Sequence, residues 1–192
     1  MSFAGVFNHW MEYFMRNGFF PFTMVLAGLL LLPIGAQAES GQMSFSGSII
    51  GSTCTINGGN NDVSVELPAV QSARLVNPGQ TDGRRSFQLT LTDCTAGLSR
   101  VQTYFDRDSP AVNPQTGRLV LDEGGATNVE IQLLNSLNAP INAAGESGNQ
   151  NSQVVNIVNG RANLIYAAQY YSLGGATPGV TTTRIQYALT YP

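Results

Sequence analysis

Apolar and polar residues alternate through this chain in short runs, and no long stretch of period 3.6 interrupts them. The final run, "TTTRIQYALTYP", is the clearest. On an extended strand Ile185, Tyr187, Leu189 and Tyr191 point one way, and Arg184, Gln186, Ala188 and Thr190 point the other. A side-chain period of two marks a half-buried β-strand. Strands are predicted over 42–50, 63–67, 86–94, 101–105, 118–121, 128–135, 153–158, 162–171 and 182–191. Phe87, Leu89 and Leu91 share a face, as do Val129, Ile131 and Leu133. Asn159-Gly160 joins two runs, and Asn-Gly is the strongest short signal for a tight hairpin.

Between the runs lie segments rich in Asn, Gly, Ser and Ala, such as "NGGNND" (57–62), "DEGGATN" (122–128) and "GGATPG" (174–179). Many short strands with turn signals between them fit an immunoglobulin-like sandwich. No linker-like boundary divides the chain, so one all-β domain is expected.

The first 38 residues read as an export signal. After Arg16 an apolar run ends in Ala36-Gln37-Ala38, the small-residue pattern of a signal-peptide cleavage site. The run is long enough to raise an uncleaved membrane anchor as an alternative. Pro21, Pro33 and the Ala-x-Ala ending favour cleavage after Ala38. Met1–Phe14, with Trp10 and Glu12, is an unusual leader, and Met15 is an alternative start. Both cysteines, Cys54 and Cys94, fall in the mature part. In an exported chain such a pair reads as a disulfide.

The mature part excludes several chemistries. Its sequence has no histidine for general base or metal work and no lysine for a Schiff base; the only histidine, His9, lies in the signal. Ser-His-Asp and Cys-His arrangements are therefore absent, and an enzyme would have to work with carboxylates alone. Asp106 and Asp108, with Asp122 and Glu123, are the acidic pairs; solvated loop charge is the simplest reading of them, ahead of a hard-cation site. Arg84-Arg85 reads as an exposed strand edge. A formal net charge of −3 with only 11 % charged residues argues against nucleic acid, which is bound through clustered cations. No catalytic site, metal, cofactor or small-molecule substrate is expected. The composition points to binding or building.

The two ends of the mature chain are alike. In "ESGQMSFSGSIIGSTC", Gly41, Met43, Phe45, Gly47 and Ile49 share one face of a second alternating strand, close to a free end and ahead of the first cysteine. Such a segment can pack on its own domain or complete the sheet of another molecule.

At this point the chain resembles subunits of chaperone–usher fimbriae of the type 1 and P pilus kind. The resemblance rests on "FSGSIIGSTCTI" and "SFQLTLTDC" around the cysteines, "ATNVEIQLLN", "AAQYYSLGGATPG" and the ending "YALTYP". Most specific are Gly179 and the penultimate aromatic Tyr191, with alternating apolar residues between them. The resemblance implies an incomplete immunoglobulin-like sandwich that lacks its last strand. It assigns 1–38 to the signal peptide, 39–50 to a donor-strand extension and 51–192 to the pilin domain. Gly41, Met43, Phe45, Gly47 and Ile49 would fill a neighbour's groove. Gly179, Ile185, Tyr187, Leu189 and Tyr191 would mark the strand beside the vacant slot. The implied partners are a periplasmic pilus chaperone, an outer-membrane usher and neighbouring pilin subunits. The implied destination is the fimbrium on the cell surface, reached through the periplasm, with a role in cell adhesion.

Other readings fit less well. A type IV prepilin carries a glutamate where Thr23 stands, and its helix would be broken by Pro21 and Pro33. Gram-positive pilins cross-link through lysine. The alternative from another class is a monomeric secreted carbohydrate-binding β-sandwich, which predicts a closed fold. The extension before Cys54 is short for a major rod subunit and closer in length to minor or adaptor subunits. It is present, unlike in a chain terminator.

Overall fold

Among the described residues seven strands form where β-branched, aromatic and aliphatic residues concentrate between turn residues. They are β1 (Thr55–Ile56), β2 (Thr81–Thr92), β3 (Arg100–Phe105), β4 (Val129–Leu134), β5 (Val155–Asn156), β6 (Ala162–Ser172) and β7 (Tyr187–Thr190). The computed structural model describes Gly51 and residues 53–192, all within one compact unit. The proposed signal and the extension 39–50, with Gly41, Met43, Phe45, Gly47 and Ile49, lie outside the described residues.

The strands make two antiparallel sheets, one in the order β1-β2-β6-β4 and one in the order β5-β3-β7. The longest ladder pairs β2 with β6, from Leu91↔Ala162 at one end to Thr81↔Tyr171 at the other. Inward-facing Leu89 and Leu91 of β2, Ile131 and Leu133 of β4, and Leu164, Tyr166 and Tyr170 of β6 meet Val101 and Phe105 of β3 in one core. Phe105 stands edge-on to Tyr166, with ring centroids 5.6 Å apart, so the two sheets are joined through that aromatic contact. This is the all-β sandwich that the alternation predicts.

The sheets are joined at a corner by the Asn159-Gly160 turn. Val158 and Arg161 exchange both main-chain hydrogen bonds there, at 2.9 and 3.0 Å. Asn159 and Gly160 have φ of 51° and 70°, the left-handed pair that a tight two-residue turn requires. At the same end Cys54, just before β1, is bonded to Cys94, just after β2. With a sequence separation of 40, that closure stabilises the fold by about 4 kcal/mol in the chain-entropy model.

Polar anchors hold the long loops against the sandwich. Gln150, 2 % exposed, accepts from the Phe105 amide at 2.8 Å and donates to the carbonyls of Phe105 and Ala143. Glu130 on β4, also 2 % exposed, receives Arg118 Nε at 2.7 Å, Asn113 Nδ2 at 2.6 Å and Thr116 Oγ1 at 3.2 Å. The Arg118 guanidinium also lies 3.7 Å over the Tyr171 ring. This network fastens residues 113–118 over the outer face of β4 and sets Leu119 beside Ile131, with reciprocal main-chain bonds of 2.8 and 2.9 Å.

Four predicted strands differ from what forms, and of 153–158 only β5 is laddered. Residues 63–67 are extended and alternate in burial, yet pair with no strand among the described residues. Residues 118–121 reduce to bridges at Leu119. Only the end of 182–191 enters a ladder, as β7. Alternation reports which face a residue presents, whereas a ladder also needs a partner alongside.

Candidate functional site

Two segments, 61–67 and 181–187, outside any ladder except for Tyr187 at the start of β7, face each other across a cleft of about 950 Å³. Along one wall Val63, Val65 and Leu67 turn half inward while Ser64 and Glu66 stay exposed. Along the other, Thr181, Thr183 and Ile185 are half-buried while Thr182, Arg184 and Gln186 are exposed. The floor is the core itself: Leu89, Phe105, Leu119, Ile131, Leu133 and Tyr170. Thus the cleft lies between two alternating segments, over core side chains that are themselves only 2–6 % exposed, in the space of one missing strand.

The walls are held at intervals rather than along their length. The Tyr187 hydroxyl donates to the Asn61 carbonyl at 2.6 Å and ties the two walls at one end. Burial, and then the carboxylate of Asp62, push the Tyr187 phenol above its ordinary pKa. Arg85 Nε donates to the Glu66 carbonyl at 3.1 Å, and Tyr170 and Thr181 share a hydroxyl hydrogen bond of 3.1 Å. On the outer side of the second wall, Asp106 N donates to the Gln186 carbonyl, and Asp122 N to the Thr182 carbonyl. Among the described residues no main-chain ladder joins the two walls across the cleft. Their inward edges are open to a strand that could bond to both.

The residues singled out from the C-terminal pattern divide between different places. Ile185 and Tyr187 line the cleft. Leu189 pairs with Thr103 in the β3–β7 ladder and packs half-buried against the core. Tyr191 lies at the disulfide end, where its hydroxyl accepts from the Cys54 amide at 2.9 Å and shares a 3.1 Å hydrogen bond with Thr53. The large aromatic at the tip therefore pins the end of the chain to the start of the domain. Gly179 sits at the far end, where a Cβ would come within 2.5 Å of the Ala126 amide nitrogen, so the close crossing of two backbones excludes a side chain there.

Sequence reasoning missed the partner wall. Val63, Val65 and Leu67 were legible as a strand, but nothing in their pattern says that it would stand without a ladder on the cleft side. The acidic pairs come together along a second cleft of about 740 Å³, where Arg184 lies 3.3 Å from Asp122. Among the described residues no three His, Cys, Asp or Glu side chains are grouped to hold a metal.

The sequence also matches the model of the type-1 fimbrial protein A family, over residues 67–192. That span takes in all of β2–β7 and the second wall of the cleft. The chain belongs to this family. Members are structural fimbrial subunits. Similar proteins include the major fimbrial subunit SMF-1 of Stenotrophomonas maltophilia (strain K279a), 41 % identical over 170 residues, with 85 % of this chain and 99 % of that one covered. The F17 fimbrial protein of Escherichia coli is 32 % identical over 162 residues, covering 80 % and 88 %. Among solved structures, the P pilus rod subunit PapA aligns with a TM-score of 0.56 at 20 % identity, covering 73 % of this chain and all of that one. A chaperone–usher pilus structure aligns with a TM-score of 0.58 at 18 % identity, covering 80 % and 96 %. These two share the immunoglobulin-like pilin fold. The chain is thus a fimbrial subunit, and its place is the surface fimbrium.

Proposed function

We propose that this fimbrial subunit polymerises by donor-strand exchange, its cleft accepting the N-terminal extension of another copy. The observation that carries the reading is the pair of extended walls, 61–67 and 181–187, standing over an apolar floor with no ladder between them. An inserted strand would complete two ladders at once, each main-chain bond contributing about 0.5–1.5 kcal/mol. Its apolar face would pack against the half-buried Val63, Val65, Leu67 and Ile185 that line the cleft. In the donor, Met43, Phe45 and Ile49 would each gain about 1.5–3 kcal/mol on burial. Gly41 and Gly47 would take the shallow positions. Because the donor fills out the acceptor's core, its release would resemble unfolding and be slow.

On this reading 1–38 is the cleaved signal, 39–50 the donor extension and 51–192 the acceptor domain. An apolar cleft with free strand edges invites aggregation, so the subunit needs a temporary strand before assembly. A periplasmic chaperone would supply it and an outer-membrane usher would receive the complex. The protein would have no catalytic role.

The test uses the mature chain and a peptide spanning Glu39–Ile50. The peptide should bind the refolded chain and raise its melting temperature, and the same peptide with Gly47→Trp should not. A well-behaved monomer indifferent to both peptides would refute the proposal.

A further inference from the structure

The second wall of the cleft is supported on its outer side by two different neighbours. β3 accompanies only its C-terminal end, through the β3–β7 ladder and the bond from Asp106 N to the Gln186 carbonyl at 2.9 Å. Its start is held at Val180 by the Ala126 amide and at Thr181 by the Tyr170 hydroxyl. The middle, 182–184, rests on segment 119–122. Asp122 N donates to the Thr182 carbonyl at 2.8 Å, and the Thr183 hydroxyl donates to the Val120 carbonyl at 2.7 Å. Arg184 lies 3.3 Å from Asp122, but its side chain is 88 % exposed, so that pair adds little. Segment 119–122 in turn hangs from two consecutive residues of β4 that face opposite ways. Ile131, on the cleft floor, exchanges main-chain bonds with Leu119, itself part of the floor. Glu130, on the other face, receives Arg118, Asn113 and Thr116. The Arg118 and Glu130 side chains are only 16 and 3 % exposed, and an acid so buried and so fully bonded allows its donors few other placements.

We propose that Glu130 is a positioning residue for strand acceptance: through Arg118 and segment 119–122 it sets where the second cleft wall stands. The inference rests on the strand-exchange reading. Glu130 faces away from the cleft and lines no part of it, so its influence passes through the backbone it holds. A guest strand must bond to both walls at once. Neighbouring strands stand about 4.7–4.9 Å apart, so a wall that moves outward by about 1 Å takes its main-chain groups out of hydrogen-bonding range of the guest. Loosening Arg118 frees the segment that carries Val120 and Asp122, and the middle of the wall goes with it. Thr183 is the direct link. Its hydroxyl carries the bond to Val120, so a valine there keeps the wall's shape and removes the tether.

Titration of the mature chain with the Glu39–Ile50 peptide tests this, at a temperature where circular dichroism shows each variant folded. Glu130→Gln keeps the side-chain shape and should weaken binding at least fivefold. Arg118→Met should do the same, and carries the test if Glu130→Gln does not fold. Thr183→Val should weaken binding at least threefold. Glu130→Gln or Arg118→Met added to Thr183→Val should then cost less than a further twofold, because both changes release the same wall. Leu164→Ala, destabilised in the closed core, should bind within twofold of the unaltered chain. Hydrogen exchange gives the second readout: the Asp122 amide should lose protection at least tenfold in the Glu130 or Arg118 variant while the amides of β6 keep theirs. Unchanged affinity in the folded variants, fully additive losses in the double variant, equal weakening by Leu164→Ala, or an Asp122 amide that keeps its protection would overturn the role of Glu130 and leave strand exchange intact. Failure of the unaltered chain to bind the peptide would overturn the strand-exchange reading and this inference with it.

Discussion

The β2–β6–β4 side of the molecule and the cleft side are built from the same kind of sequence and end in opposite states. Leu164, at 0 % exposure, sits on a strand laddered on both sides. Val65 sits on an alternating segment of similar character that has no ladder among the described residues. The closed side also holds the disulfide and the Glu130 network. Stability is concentrated there, which lets the cleft side stay open without the domain unfolding. What separates the two regions is the presence of a neighbour, not the composition of the strands.

Breaking the closed side should cost most. Glu130→Ala leaves Arg118 with no acid in a largely buried site and should destabilise the domain by about 3–5 kcal/mol, read from chemical denaturation. Leu164→Ala opens a cavity in the core and should cost about 2–5 kcal/mol by the same measurement. The open side should answer differently. Val65→Ala should cost about 1 kcal/mol or less in the monomer, yet weaken binding of the Glu39–Ile50 peptide at least fivefold in a fluorescence titration. A Val65→Ala variant as destabilised as Leu164→Ala would erase the distinction between the two sides.

The smallest effect concerns the tie across the cleft. Tyr187 and Tyr166 both have phenols raised above the ordinary value of 10.0, chiefly by burial. A phenol whose pKa rises on folding contributes stability that is full below pH 10 and is lost as pH climbs through the folded value. Denaturation midpoints should therefore fall above pH 10. The fall should be slightly smaller in Tyr187→Phe, which has no proton to lose and no bond to Asn61 to break. An identical alkaline profile in that variant would remove Tyr187 from the account.

Much of the sandwich was legible because side-chain period and turn chemistry are local. The faces of 87–91 and 129–133, the Asn159-Gly160 turn and the inward set Ile185, Tyr187 and Leu189 all follow from neighbouring residues. Ladders were less legible, since 63–67 and 129–133 alternate alike and only the second has a strand beside it. The shared face of Val129, Ile131 and Leu133 leaves Glu130 on the other side, where loop 113–118 folds over it, and no spacing rule announces that cover. The resemblance puts Tyr191 with the groove strand; in the fold its hydroxyl reaches Cys54 and Thr53 at the disulfide end.

Hydrogen exchange on the mature chain, with and without the Glu39–Ile50 peptide, tests the open cleft most directly. Amides of 63–67 and 181–185 should exchange fast in the free chain and become protected on binding, while those of β2 and β6 stay slow throughout. Slow exchange at 63–67 in the free monomer, unchanged by peptide, would mean that the sandwich is already closed.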